Sequence, residues 1–439
     1  MRIGFFTAAA LLCAASASTP LVPALAAEEA VETVAVREVT LQQLLKEAIE
    51  RSPKLQAKRR RYEATRARVL SAWLPGDPEA GADVEGQSAL FRFDRTDNEF
   101  MVSQSIPFPT TLWLRGRVAL READIAYQEY RETQRDVLWH IEQPYHELLL
   151  ARKAQRSLSD IRSLLERMSA SARSHYQSNE GSQQDVLKIQ IEASKARIEL
   201  FQWQEKEHLA EAHVSHILNE PLDTTRAIRE EPRSAPLVLS REELERSAAR
   251  IRPELKAMEL AIQRAKANQL LAATTWLPDI TGRVEARHFA GESGLQQYDT
   301  FLGVTVPVWS FVKGIGGQWK GAARDVQVAE AEYLEAKNEV LLAVHEAYSK
   351  ITSAEYALDT YEQSIIPQSR QQVEVAIAAY ESGRSDLLSL LDAQRTLKDA
   401  QLVRDRLAAD YELGLAQLRL AVGDDLEVGD ERQQERIRP

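Results

Sequence analysis

Apolar positions along this chain follow two periods. In the last long polar stretch, Leu390, Ala393, Leu397, Ala400, Leu407, Tyr411 and Leu418 recur near heptad spacing. That stripe is a narrow seam for a neighbouring helix, not a broad core face. Elsewhere the pattern alternates. Asp83, Glu85 and Gln87 interleave with Ala82, Val84 and Gly86, and Glu99, Ser103 and Ser105 with Phe100, Val102 and Ile106. Arg283, Glu285 and Arg287 interleave with Ile280, Val284 and Ala286, and Asp299, Gly303 and Thr305 with Leu302, Val304 and Val306. A period of two predicts strands, here near 81–91, 98–106, 280–289 and 298–306. Long helical segments are expected at about 115–178, 183–218, 319–381 and 386–421. The longest would reach roughly 95 Å at 1.5 Å per residue. Pro144 and Pro367 fall inside them and predict a kink or break at each.

The same order of elements occurs twice. "VTLQQLLKEAIERSPKLQA" from Val39 matches "LSREELERSAARIRPELKA" from Leu239. Each opens on a capping box, Thr40 with Gln43 and Ser240 with Glu243, and each continues to a proline, Pro53 or Pro253, suited to a first helical turn. Trp73-Leu74-Pro75 matches Trp276-Leu277-Pro278, Pro107 matches Pro307, Tyr145 matches Tyr348, and Tyr176 matches Tyr380. A period near 200 residues is too long for a solenoid, so the pattern reads as an internal duplication. Repeat 1 covers 40–218, repeat 2 covers 240–422, a proline-bearing linker covers 219–239, and 423–439 is a polar tail.

The ends and the composition place the chain. Arg2 followed by "IGFFTAAALLCAA" and then "PALAAEEA" reads as a secretory signal over 1–26, with 27–39 as an N-terminal segment. The one cysteine, Cys13, lies inside that signal, so no disulfide is expected in the exported chain. A net charge of −11 leaves no basic excess for nucleic acid. No stretch is apolar for the ~18 residues a spanning helix needs, so a membrane could be entered only as strands.

Alternation alone fits a half-buried soluble sheet as well as a membrane barrel wall. The aromatics favour the barrel. Trp73, Phe108 and Trp113 flank the first strand pair, and Trp276, Trp309 and Trp319 flank the second. Tryptophan prefers the membrane–water interface. Four strands cannot close a barrel, which needs about eight at the least, and open edges are prohibitive in lipid. Strands in a membrane would therefore require several chains to share one barrel.

The layout resembles the TolC family of outer-membrane efflux ducts, over nearly the whole exported chain. The most specific element is the turn between the long helices of each copy. The second copy reads "YESGRSDLLSLLDAQRTL", with Tyr380, Gly383, Ser389 and Asp392. The first reads "YQSNEGSQQDVLKIQIEASK", with Tyr176, Asn179 in the glycine place, and Asp185. The resemblance implies a mostly α fold with a small β part: a long α-helical barrel, or coiled-coil tunnel, joined to a transmembrane β-barrel. It implies a homotrimer, so that four strands per chain give a 12-stranded barrel in outer-membrane lipid. It further implies location in the bacterial outer membrane with a periplasmic extension, a periplasmic adaptor, and an inner-membrane pump or ABC transporter as partners.

The gate carries over by position. Asp392 from three chains would form a carboxylate ring. The family's second ring falls at Ser389, which predicts a weaker charge barrier. Tyr380 is expected to donate a hydrogen bond to Asp185. The family's arginine latch falls at Ser385, with Gln184 opposite, and serine cannot make a charged multidentate link. Tyr176, Asn179 and Gly383 mark the turn tips where an adaptor would touch.

No phosphate loop, nucleophile elbow, His-Glu-x-x-His or paired-cysteine pattern is present, so neither an enzyme, a cofactor nor a metal site is expected. His213 and His216 share a helix face, but two ligands do not make a metal site. His140 and His146 flank Pro144 and are expected on the helix surface. The cargo is not written in the chain. Multidrug export and type I protein secretion use the same architecture, "SIPFPTTLWLRG" is reminiscent of heavy-metal exporters, and a periplasmic coiled-coil scaffold is the rival class.

Overall fold

A computed structural model describes residues 39–85, 96–178, 182–221, 227–229, 236–313, 317–382 and 384–423. Asn179, Gly383, the signal, the N-terminal segment and the polar tail lie outside the described residues, as do 86–91 of the first expected strand.

The halves follow the same order of elements, the single α3 of the first being divided in the second. In the first, α1 (Leu41–Arg51) and α2 (Pro53–Trp73) lead to β1 (Glu79–Glu85), β2 (Asp97–Ile106), α3 (Pro109–Gln177) and α4 (Gln183–Leu218). In the second, α5 (Arg241–Ile251) and α6 (Pro253–Ala273) lead to β3 (Ile280–His288) and β4 (Gln297–Val304). A short α7 (Val308–Lys313) precedes α8 (Trp319–Thr360), α9 (Ile366–Glu381) and α10 (Leu387–Val422). The α1/α5 pair has 11 residues each, α2/α6 has 21 each, and α4/α10 has 36 each. Both capping boxes are formed, and both prolines sit in the first turn of the second helix. Asn219 and Gly423 end α4 and α10 in the left-handed region, at φ 56° and 102°. Asn219 is the one non-glycine there among the described residues, filling the place that glycine fills in the other half.

The two expected interruptions differ. α3 passes through Pro144 as one 69-residue helix, about 100 Å long. At Pro367 the helix instead widens into a five-residue π turn, Tyr361–Ile365, immediately before α9. A π turn shifts the bonding ladder, which removes the demand for the missing proline N–H.

Each half has its own core. Leu44, Ala48, Leu55, Val137, Ile141, Tyr145, Val214 and Leu218 pack together in the first. Leu244, Leu255, Val340, Val344, Ile351, Tyr411 and Leu418 are among those that do so in the second. The heptad residues Leu390, Ala393, Ala400, Tyr411 and Leu418 are all buried, so the narrow stripe does form the seam of α10. The linker docks on the first core. Val39 pairs with Ile228, and the Tyr145 hydroxyl donates to the Arg229 carbonyl at 2.9 Å.

Arginines close the end of α10. Arg135, on α3, donates from Nη2 to the carbonyls of Arg419 (2.8 Å) and Leu420 (2.7 Å), and Arg252 donates to that of Ala421 (3.2 Å). The last carbonyls of a helix run short of i+4 donors, that of Arg419 being also bonded by the Gly423 N–H, and the cations oppose the negative end of the helix dipole. Burial raises the Glu132 pKa, while Arg252 and Arg135 pull it down. Arg135→Ala is expected to cost about 2 kcal/mol, the loss of charge-assisted bonds to buried acceptors, read as a lower denaturation midpoint. An unchanged midpoint would show that water replaces the guanidinium.

Candidate channel gate and membrane face

The four strands form one antiparallel sheet in the order β1-β2-β3-β4. The halves join at β2–β3, from Asn98 opposite His288 to Ile106 opposite Ile280. Register sorts the alternation into two faces. Ala80, Val102, Val284 and Thr300 line up in one row; Ala82, Phe100, Ala286 and Tyr298 in another; and Ile106, Ile280 and Val304 in a third. Rows of the other parity carry Asp83, Glu99, Arg287 and Gln297, and Gly81, Met101, Glu285 and Asp299. Opposed residues point to the same side, so one face is apolar and the other charged. On the charged face Arg287 pairs with Glu99 at 3.1 Å and Arg283 with Glu285 at 2.7 Å. Among the described residues nothing covers the apolar face: Val102 is 53% exposed, Val284 52% and Leu302 79%. Among the described residues β1 and β4 each pair on one side only. No helix among them is long and apolar enough to cross a membrane.

Aromatics gather where sheet meets helices. Trp73 ends α2, Trp113 lies in the first turns of α3, Trp309 lies in α7, and Trp319 opens α8. Trp276 lies between α6 and β3. All five are more than a third exposed, and Phe108 is half-buried. Trp73 also packs. A Cβ at Gly116 would fall 2.2 Å from its ring, so the indole lies across α3 where a side chain is missing. Trp113 is stacked by Arg117, 4.7 Å from ring centroid to guanidinium.

At the opposite end of the helices, three of them meet. Leu165 and Ala172 of α3, Ile189 and Ala196 of α4, and Leu387 and Leu391 of α10 form a buried cluster, with Tyr380 packed against it. Asp185 stands in the first turn of α4. Burial first, and the Asp185 carboxylate second, push the Tyr380 hydroxyl pKa up. The two are therefore neighbours, although no Tyr380–Asp185 hydrogen bond occurs among the described residues. Gln184 spends its backbone N–H on Ser182, which caps α4, at 3.1 Å. The Ser385 backbone N–H donates to Ala379. Ser389 is engaged by a residue that sequence reading passed over: Asp386, the N-cap of α10, accepts from both its backbone N–H and its hydroxyl. Those bonds hold the Asp386 carboxyl below the usual range. Asp392 is exposed, and Tyr176 ends α3, 47% exposed.

His146 is not on the surface. It is 9% exposed, its ring set edge-on to Tyr145 with centroids 5.1 Å apart. The helix turns it inward beside Tyr145, and burial with Arg419 and Lys153 nearby lowers its pKa to about 4. His140, His213 and His216 line one open groove with Pro144 and Glu147. Among the described residues no three His, Cys, Asp or Glu side chains are grouped to hold a metal ion.

The family model described as "Outer membrane efflux protein" matches residues 244–424, most of the second half. That match places the second half of the chain beside outer membrane efflux proteins. Among the curated proteins the chain resembles is the pyoverdine export outer membrane protein OpmQ of Pseudomonas putida. It is 30% identical over 163 residues, 36% of this chain and 34% of that one. The cobalt-zinc-cadmium resistance protein CzcC of Cupriavidus metallidurans is 26% identical over 170 residues, 39% of this chain and 38% of that one. The matches thus span little more than a third of either curated relative's length. The fold reaches further: the Campylobacter jejuni CmeC outer membrane channel superposes with a TM-score of 0.76 at 12% identity, covering 90% of this chain and 88% of that one.

Proposed function

We propose that three copies of this chain form a duct through the outer membrane, the product of an internal duplication. In this reading twelve strands close one barrel, and the helices of three chains line a periplasmic tunnel. The observation that carries it is the sheet: among the described residues, one uncovered apolar face, one charged face, and an edge strand at either end that pairs on one side only. An even number of alternating strands lets β4 of one copy meet β1 of the next antiparallel, leaving no edge in lipid. The duct conducts passively; an inner-membrane pump drives export, and a periplasmic adaptor docks at the helix-turn end, near Tyr176. The names of the relatives, one exporting pyoverdine and one conferring metal resistance, fit an export duct whose cargo is chosen by its pump.

The gate belongs to the same reading. Asp392 of each chain faces the axis at the closed end, with Ser389 replacing a second acidic ring. Asp392→Asn is expected to reduce cation over anion selectivity in planar bilayers about two- to threefold, because a carboxylate ring concentrates cations. Channels with wild-type selectivity would remove Asp392 from the constriction. A wild-type protein that forms no channels would remove the duct.

A further inference from the structure

The position of the family's arginine latch holds Ser385, opposite Gln184, and no charged link joins the two. Two charged links between the halves lie farther along helices α4 and α10. Arg395 of α10 grips Glu192 of α4 in a fork, Nε to one carboxylate oxygen at 3.0 Å and Nη2 to the other. Lys398 of α10 donates to both oxygens of Glu199 of α4, at 3.1 and 3.0 Å. Glu192 is seven residues beyond Asp185, about 10 Å up the helix at 1.5 Å per residue. Both pairs border the apolar cluster where α3, α4 and α10 meet, and all four residues line one small cavity there. The side chain of Glu192 is only 14% exposed, so its pairing is partly shielded from solvent.

Every clasp residue except Glu199 also has an alternative partner on its own helix. Glu192 touches Lys195 at 3.0 Å, and Lys398 touches Asp399 at 3.4 Å. Arg395 lies in the fields of Asp392 and Asp399. Glu192 is held below the usual carboxylate range chiefly by the Arg395 bond, and Lys195 adds to it.

We propose that these pairs are an ionic clasp that holds α10 against α4 and keeps the duct entrance closed, with Arg395 as the positioning residue for Asp392. The clasp rests on the duct reading. Its chemistry makes it reversible. When α10 leaves α4, Glu192 keeps Lys195, Lys398 keeps Asp399, and Arg395 turns to Asp392 one turn earlier. A buried pair broken without substitutes leaves uncompensated charge and is costly. Here opening exchanges cross-helix partners for local ones, the property of an element with two discrete arrangements. The exchange also brings a guanidinium beside the pore carboxylate, so opening weakens the ring's attraction for cations as it widens the entrance.

The test is single-channel recording of the full-length protein in planar bilayers. Glu192→Gln and Arg395→Gln are each expected to raise the open fraction about fivefold, the change set by losing one partly exposed ion pair. The double variant should match either single. The charge swap Glu192→Arg with Arg395→Glu should return the open fraction to within about twofold of wild type, because it restores attraction with reversed sign. Variants that conduct as wild type does overturn the clasp and leave the duct standing. Swap channels as open as the singles overturn it too, reducing the effect to local charge. Failure of the wild-type protein to form channels overturns the duct reading, and the clasp with it.

Discussion

Val284→Arg is expected to abolish assembly in the outer membrane. Val284 sits mid-way along β3, flanked by Val102 and Thr300, on the uncovered face of the sheet. If that face meets lipid, an arginine near the bilayer midplane costs about 2–4 kcal/mol per chain, and three copies in one barrel cost about 6–12 kcal/mol. That approaches the whole stability of a typical domain, about 5–15 kcal/mol. The control is Met101→Arg, one row away and on the other face, opposite Gly81 and Glu285. An arginine there enters the water-filled lumen beside a carboxylate and should leave assembly intact. The yield of assembled protein in membrane fractions reads both. Equal yields from the two variants would mean that neither face touches lipid.

The second large effect is acid sensitivity through His146. Its folded pKa of about 4 lies below the ordinary 6.5 because burial, Arg419 and Lys153 all disfavour the imidazolium. The unfolded chain therefore takes up this proton first as the pH falls. Stability from a neutral His146 is complete above pH ~6.5, declines between about 6.5 and 4, and then levels, for a loss of about 3 kcal/mol. His146→Gln removes that contribution and should flatten the pH dependence over the same interval, although its stability at pH 7.5 falls. Thermal unfolding of both proteins at several pH values measures the difference, because carboxylates common to both cancel. Parallel curves would show that His146 charges in the folded chain at its ordinary pKa.

Much of this organisation is legible in the chain because it is written in local signals. Thr40 and Ser240 cap, Pro53 and Pro253 start helices, and Asn219 and Gly423 end them. Each depends on a neighbour three or four positions away. The strand faces were likewise readable, since a period of two fixes the side on which Val284 and Glu285 fall. What escaped reading depends on contacts far apart in sequence. Arg135 caps a carbonyl 285 positions away, and Arg395 finds Glu192 203 positions away. Charged residues flanking an apolar seam look alike until the partner helix is known. Gly116 gave no turn signal because it serves the Trp73 ring and not its own backbone. His146 departs from its expected surface position because α3 runs on through Pro144 and carries the imidazole inward.

The gate residues stand between these cases. Asp185 and Tyr380 are neighbours at the helix turns. Asp386 is the residue the pattern hid, since its role as N-cap for Ser389 emerges only once the start of α10 is fixed. Ser389 is tied to that cap and Ser385 is uncharged, and it is the proposed clasp of Glu192 and Arg395, farther up the helices, that would control the entrance.

The most direct test of the account is the fractionation of cells producing the protein, with its electrophoretic mobility read before and after boiling. A membrane duct of three chains predicts recovery in the outer-membrane fraction as a detergent-resistant species that collapses to single chains on heating. A monomer released with the soluble periplasmic extract would contradict the shared barrel.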